Sequence, residues 1–430
     1  MRRTALAATH LGTYTERMGH LDTRAKLAIL ADAAKYDASC ASSGTTKRNS
    51  LGGSGIGSTE GMGICHSYAP DGRCISLLKI LLTNSCIFDC HYCINRKSSN
   101  VRRAKFTVDE VVRLTLAFYK RNYIEGLFLS SGIIGSSDYT MEQLVRVAQV
   151  LRTEHDFRGY IHLKTIPDAD PALIEQAALY ADRLSINVEL PTEPGLARLA
   201  PEKSAARIRT AMRELKDGII DNKDARRKYR SAPKFAPAGQ STQMIVGADA
   251  ATDSEVVASA SGLYGSFGLR RVYYSAFSPI PDASAVLPLV RPPLMREHRL
   301  YQADWLLRFY GFTTPEVQAA TDDGMLPLDI DPKTAWALKH RATFPVDINR
   351  APRESLLRVP GLGVRAVGGI VRARRHRQLR LEDVARLTRG LDRLRPFIVA
   401  ADWRPLALSD SAVLRPKLVK AERAQLELFG

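Results

Sequence analysis

Nowhere in this 430-residue chain do eighteen apolar residues run together. A helix crossing a bilayer needs about 20 such residues, so no transmembrane helix is expected. The N-terminal stretch "MRRTALAATHLGTYTERMGH" is basic but has no uninterrupted apolar core, and no signal peptide is expected. Cysteine is scarce, six residues in all, which excludes a disulfide framework. These absences point to a cytoplasmic, reducing compartment and to no membrane partner. In that setting clustered cysteines bind metal more often than they pair. Acidic side chains are also in deficit, 45 against 62 Lys and Arg, for a net charge of +17. The excess is uneven: residues 351–430 carry 17 basic and 8 acidic residues, so +9 of the +17 lies there. A positive field gathered at one end points to a polyanion, nucleic acid first.

What is present begins with "NSCIFDCHYCINRK", residues 84–97, which places Cys86, Cys90 and Cys93 within eight positions. Three thiols cannot all pair, and Cys90 and Cys93 are too close for an ordinary structural bridge. A metal site is the better reading. Three thiolates on one loop can ligate three irons of a [4Fe–4S] cluster and leave the fourth iron open. The alternative is zinc, with His91, Cys65 or Cys74 as fourth ligand, although His91 adjoins Cys90 and would chelate under strain. Cys40, Cys65 and Cys74 follow no compact ligand spacing and read as buried inert cysteines, with a second cluster as the alternative.

The loop follows an apolar run that opens a repeated strand–helix region. Strands are expected at 75–83, 126–131, 160–166, 183–190, 241–248 and 270–277. Amphipathic stretches such as "TVDEVVRLTLAFYKRN" and "TMEQLVRVAQVLRTEH" lie between them, the first opening on a threonine cap with glutamate three residues on. Six parallel strands with crossover helices make an open or partial α/β barrel. Four regions are expected: 1–74, a helix (22–37) and a Ser/Gly-rich loop; 75–290, the barrel; 291–405, a linking helix near 294–310 and a small helical domain; and 406–430, a polar tail.

The CxxxCxxC spacing after the first strand, with aromatic Tyr92 before the third cysteine, resembles the radical S-adenosylmethionine (SAM) superfamily. The resemblance implies a partial (β/α)6 barrel and two cofactors, a [4Fe–4S] cluster and SAM. It implies that Cys86, Cys90 and Cys93 hold the cluster and that Tyr92 lies beside the adenine. "LSSG" (Ser130, Ser131, Gly132) stands where the superfamily often holds the SAM amino group, although its glutamate is missing here. Lys164, Asn187 and Glu189, near carboxyl ends of strands, are candidates for the SAM carboxylate or ribose. An electron donor such as flavodoxin or ferredoxin is implied as a partner. Tyr273 and Tyr274 on the last strand are candidate hydrogen-atom relays, only one of which can face the barrel interior.

Near the basic end, "DINRAPRESLLRVPGLGVRAVGGIVRARR" resembles the helix-hairpin-helix module of DNA repair proteins. A short helix (352–358) and a second helix from Val364 flank Pro360-Gly361-Leu362-Gly363. Gly361 and Gly363 would let the backbone approach a phosphate, with Arg365, Arg372, Arg374 and Arg375 neutralising the DNA backbone. As a whole, residues 20–405, including "KYDASCASSG", "GICHSYAPDGRCISLLKILLTNSC" and "AGQSTQMIVGA", resemble the DNA modification/repair radical SAM proteins that occur with a uracil-DNA glycosylase-like partner. Spore photoproduct lyase, another radical SAM enzyme acting on DNA, is a relative in idea. The function implied is use of a deoxyadenosyl radical in DNA repair or modification. A radical SAM enzyme acting on tRNA or other RNA, and a DNA-binding protein with a structural or redox cluster, are the alternatives. Finally, Gln425, Leu426, Leu428 and Phe429 in the terminal "QLELFG" are similar to the short peptides by which bacterial repair proteins hold the replication sliding clamp.

Overall fold

The structure, a computed structural model, describes residues 21–34, 63–68, 74–280, 284–405 and 413–419. The chain divides into two compact units, one of residues up to 249 together with 263–291, the other of 250–262 together with 292 onward.

The first unit is built on one seven-stranded sheet in strict chain order. After helix α1 (Thr23–Ala33), strand β1 (Ile64–Tyr68) pairs antiparallel with β2 (Cys74–Leu81). From β2 onward every pairing is parallel. Helix α2 (Val108–Lys120) leads to β3 (Gly126–Ser130), α3 (Ser137–Thr153) to β4 (Tyr160–Lys164), and α4 (Pro171–Tyr180) to β5 (Arg183–Ser185). Helices α5 (Glu193–Leu199) and α6 (Ala205–Lys228) precede β6 (Gln240–Val246), and α7 (Asp253–Phe267) precedes β7 (Arg271–Ala276). Each crossover steps to the next neighbour, so the right-handed twist curls the sheet into a half-barrel. The fold is α/β, a partial barrel, as the alternation of strands and helices led us to expect.

Local chemistry explains the element ends. Thr107 and Glu110 form the reciprocal cap expected from their spacing, and Lys26 of α1 grips Glu110 at 2.8 Å. Strands β3 and β6 are buried along their whole length, as strands covered on both faces must be. Their inner face is unusually polar. Phe128 stacks on His162 with centroids 4.3 Å apart, and the Lys79 ammonium lies 5.6 Å from the Phe128 ring. His162 Nε2 bonds Ser185 Oγ, which is 3.0 Å from Ser241 Oγ. This layer is the floor beneath the site.

Two expectations are corrected. Strand β1 falls where a loop segment was expected, and the fifth strand is short, Arg183–Ser185, with residues 186–189 continuing along β6 as irregular backbone that returns to it at a Glu189–Met244 bridge. Glu189 there takes φ +65°, a left-handed conformation rare for a side chain larger than glycine.

The second unit is mainly helical: α8 (Leu294–Phe309), α9 (Thr314–Ala319), α10 (Pro332–Lys339), α11 (Arg353–Arg358), α12 (Val364–Ala373), α13 (Leu381–Ala385) and α14 (Leu391–Leu394). A short parallel ladder of β8 (Val346–Asp347) and β9 (Ile398–Val399), which no sequence pattern marks, ties the two ends of this region. Its core gathers Leu300, Leu306, Trp336, Ile348, Val367 and Phe397, all buried. Among the described residues no helix is long and apolar enough to cross a membrane.

Candidate functional site

The cysteine loop starts where β2 ends and folds back over the carboxyl ends of the strands. Tight turns shape it: the Cys93 N–H donates to the Cys90 carbonyl at 2.9 Å, and that of Arg96 to the Cys93 carbonyl at 3.2 Å. Asp89 closes the turn by accepting from the Ser98 N–H and hydroxyl at 3.0 and 2.7 Å, which holds its carboxyl below the usual range. The loop then docks on its surroundings. The His91 N–H reaches the Leu199 carbonyl, and that of Ile87 the Ile133 carbonyl, both at 2.8 Å.

Gly132 permits this docking. A Cβ there would meet the Ser85 carbonyl oxygen at 2.2 Å, while the Gly132 N–H donates to the Thr83 carbonyl at 2.8 Å. The "LSSG" glycine is thus required by the close passage of the loop over β3. Next to it, the Ile133 N–H points at Cys86 Sγ at 3.4 Å.

Cys86, Cys90 and Cys93 line one cavity of about 180 Å³ with Tyr92, Ser131, Gly132, Lys164, Asn187 and Glu189. Ser130 lies just beneath, buried, its hydroxyl without a hydrogen-bond partner. Tyr273 and Tyr274 are buried on β7 and do not line the cavity; Tyr273 stands near Tyr160 on a lower layer, under the Arg271 guanidinium. Cys65 packs with Ile75, Leu77 and Phe128, and Cys74 is exposed; neither lines the cavity. Cys40 lies outside the described residues.

The structure adds residues that sequence reasoning missed. Lys203 enters the cavity from the turn before α6 and pairs with Glu189 at 2.5 Å. Gln243 of β6 lines it too and accepts from Asn187 Nδ2 at 3.4 Å. Gln243 was legible in principle only as one of four successive polar residues, Gln240 to Gln243, that open β6. Nothing local marks Lys203.

The electrostatics fit an anion-rich site. Burial pushes the Cys90 thiol up to about 12 and raises Cys93, while the Lys203 ammonium opposes both shifts. Lys203 is itself raised by Glu189 and by the two thiols, against the cost of burial. Tyr92 is raised well above its usual range by burial, by Glu189 and by Cys90, beside which its hydroxyl lies. Thiols become thiolates on binding metal, so capture of iron releases protons here. Among the described residues no three His, Cys, Asp or Glu side chains are set to hold a single ion.

Residues 80–225 match the radical SAM superfamily. The chain carries a radical SAM domain. Its cofactors are a [4Fe–4S] cluster and SAM, and the donor set fits them: three thiols on one loop with a buried tyrosine beside them, and a buried serine hydroxyl left without a partner. The sequence matches no curated protein. Among solved structures, HydG, a maturase of the [FeFe]-hydrogenase, aligns at 15% identity over 53% of this chain and 48% of that one, with a TM-score of 0.40. Streptococcus suis SuiB aligns at 9% identity over 52% and 45%, TM-score 0.38. The cobalamin-dependent S-adenosylmethionine radical enzyme OxsB aligns at 11% over 58% and 35%, TM-score 0.30. The chain spans about half the length or less of these structures.

Bound together, the cluster and SAM supply a one-electron cleavage that yields a 5′-deoxyadenosyl radical. The radical SAM domain contributes the surroundings. Cys86, Cys90 and Cys93 would hold the irons, Lys164, Asn187 and Glu189 add polar groups to the lining, and Ile166, Ile208 and Ile245 make part of it apolar.

Proposed function

We propose that this radical SAM enzyme acts on DNA, in repair or modification. The observation that carries the reading is the glycine hairpin of the second unit with its arginine face. Helices α11 and α12 flank Pro360-Gly361-Leu362-Gly363, and Gly363 is the N-cap of α12. A Cβ at Gly363 would meet nothing nearer than the Tyr310 hydroxyl at 3.8 Å, and that hydroxyl takes the Val364 N–H, so a phosphate approaching this helix start would replace it. Arg365, Arg372 and Arg375 are exposed on or just beyond α12.

Two of the candidate DNA-binding residues have other tasks. Gly361 sits at φ +80° with its Cα against the Gly390 carbonyl, so it is glycine because the turn requires it. Arg374 turns inward and donates to the Ile348 and Ala351 carbonyls at 3.1 and 2.7 Å, which ties α12 to the chain before α11.

Chemistry on a base or sugar inside a stacked duplex requires extrusion, so a lesion or an unpaired stretch is the favoured substrate. The flavodoxin- or ferredoxin-type donor, the uracil-DNA glycosylase-like partner and the sliding clamp belong to the same proposal. Gln425, Leu426, Leu428 and Phe429 lie outside the described residues; deletion of 425–430 should abolish binding to purified clamp if they form the contact. The RNA-acting and non-enzymatic readings differ in measurable ways. Anaerobic incubation of loaded protein with SAM, reductant and duplex, single-stranded or lesion-bearing DNA, followed by mass spectrometry, tests the main reading. Altered nucleosides in tRNA alone would favour the RNA enzyme, and no SAM cleavage at all the binding protein.

A further inference from the structure

Loops that bind metal through several cysteines commonly fold around the metal. This one is closed at its base by protein donors. The Arg103 guanidinium donates to four backbone carbonyls: Asn84, Asn95 at 2.9 Å, Arg96 at 2.6 Å and Ser99 at 2.9 Å. Asn84 precedes Cys86 by two residues, and Asn95 and Arg96 follow Cys93 by two and three, so one side chain joins both ends of the cysteine segment. Asn84 adds a second tie. Its Nδ2 donates to the Arg102 carbonyl at 2.7 Å, and its Oδ1 accepts from the Ala104 N–H at 2.8 Å.

The geometry demands arginine. A guanidinium carries five N–H donors in a rigid planar fork, and here the fork spans carbonyls from three turns of chain. A lysine ammonium has three donors on one atom and cannot reach the same set. Asn95 and Arg96 are buried, so their carbonyls, left without this partner, would be short of water as well.

We propose that Arg103 is the positioning residue that holds the cysteine loop closed before the cluster arrives, so that the cluster enters a formed site rather than folding one. Arg103 does not line the cavity; it acts through the carbonyls of the loop. Because the ties use backbone oxygens, they persist when the cluster is lost.

The test uses the full chain, prepared anaerobically in metal-free and iron-loaded forms. Hydrogen–deuterium exchange over residues 84–99 should differ little between the two forms of the wild type. Arg103→Lys and Arg103→Met should lose that protection in the metal-free form, and should release iron to a chelator about 10–100-fold faster, the range for losing a supporting partner of a metal site. The melting of the barrel should stay close to wild type in Arg103→Lys. Methylguanidinium added to Arg103→Gly should slow iron release, a rescue that a general packing role would not show. Metal-free wild type exchanging over 84–99 as an unfolded peptide does would overturn preorganisation. Wild-type iron retention in Arg103→Lys would overturn the assignment to Arg103. Should Arg103→Met not fold, the wild-type exchange and the lysine variant decide the matter.

Discussion

Lys203 Nζ stands 2.5 Å from Glu189 Oε1, and the pair shares a cavity wall with Cys90 and Cys93. Glu189 is almost fully buried, its side chain 7% exposed, and holds a left-handed backbone to reach this position. A strained residue at a site is held there by its surroundings, and here the ammonium acts on the side chain while β6 holds the backbone, the Glu189 N–H donating to the Gln243 carbonyl at 3.2 Å and the Ile245 N–H to the Glu189 carbonyl at 2.6 Å.

Removing one partner of such a pair leaves an uncompensated charge. Lys203→Met should destabilise the first unit by up to roughly 3 kcal/mol, the low end for a buried pair, because Lys203 keeps 21% of its side chain exposed. Adding Glu189→Gln should recover part of the loss. Urea titration of the four proteins of the cycle reads the coupling, and additive losses would show that the two residues act independently.

The cluster assignment predicts about four irons per chain, with loss of iron and of SAM cleavage together when any of Cys86, Cys90 or Cys93 becomes alanine. Cys65→Ala and Cys74→Ser should leave iron content unchanged. Stoichiometric zinc without iron after anaerobic reconstitution contradicts the assignment, and about eight irons would point to a second site among Cys40, Cys65 and Cys74.

Two glycines make a matched pair of tests. Gly132→Ala drives a methyl into the Ser85 carbonyl and should cost roughly 1–3 kcal/mol while loosening the cysteine loop, visible as lower iron retention. Gly262→Ala, exposed within α7 with nothing within 4 Å of its Cβ, should stabilise by up to about 1 kcal/mol. Equal effects at both positions would mean that the loop does not pack on β3 as described.

At the hairpin, the roles separate by variant. Arg372→Glu with Arg375→Glu should weaken duplex binding and reduce its salt dependence, the slope falling by about 0.9 for each phosphate no longer neutralised. Arg374→Ala and Gly361→Val should instead lower the melting temperature of the second unit. Gly363→Val should weaken binding with little change in stability. If the double glutamate variant binds duplex as wild type does, the DNA interface lies elsewhere.

Lys333 gives the hairpin a pH signature. Its ammonium donates to the Leu362 and Leu357 carbonyls at 2.5 and 3.4 Å and lies 4.6 Å from the Tyr310 ring. Burial pushes it down from its usual 10.5 to about 7, with Asp331 opposing and Arg393 assisting. A lysine depressed on folding binds fewer protons folded than unfolded across that window. Stability should therefore rise with pH from about 7 to 10.5, by at most about 1.4 kcal/mol per pH unit, and be flat in this contribution below 7. The rise should be absent from Lys333→Met, measured as the difference in melting temperature between the two proteins at each pH.

The strands were legible because burial on both faces writes continuous apolar runs, and "GLFLSS" and "RRVYYSAF" fall on β3 and β7. Strand β1 was not: "ICHSY" has no such run and is a strand only by pairing with β2. The cysteines and Tyr92 were legible from spacing, since one short loop carries them all. Lys203 and Arg103 were not, because each acts at a distance set by the fold. Lys203 meets a glutamate fourteen residues back through a bend, and Arg103 meets oxygens that every residue type possesses.

Helix α7 has a consequence for any attempt to divide the protein. Its first turns, 253–262, count with the second unit and its last with the first. Asp253, 1% exposed, is held by Arg296 at 2.7 Å and by the Leu326 N–H at 2.9 Å. A gene truncated at the proline-rich boundary near 291 would encode a barrel with that carboxylate stripped of both partners. Expressed alone, the barrel should therefore be aggregation-prone, because the buried Val256, Val257 and Ala260 of those turns would lose the unit they count with, and substituting them with polar residues is the first change to make in isolating it.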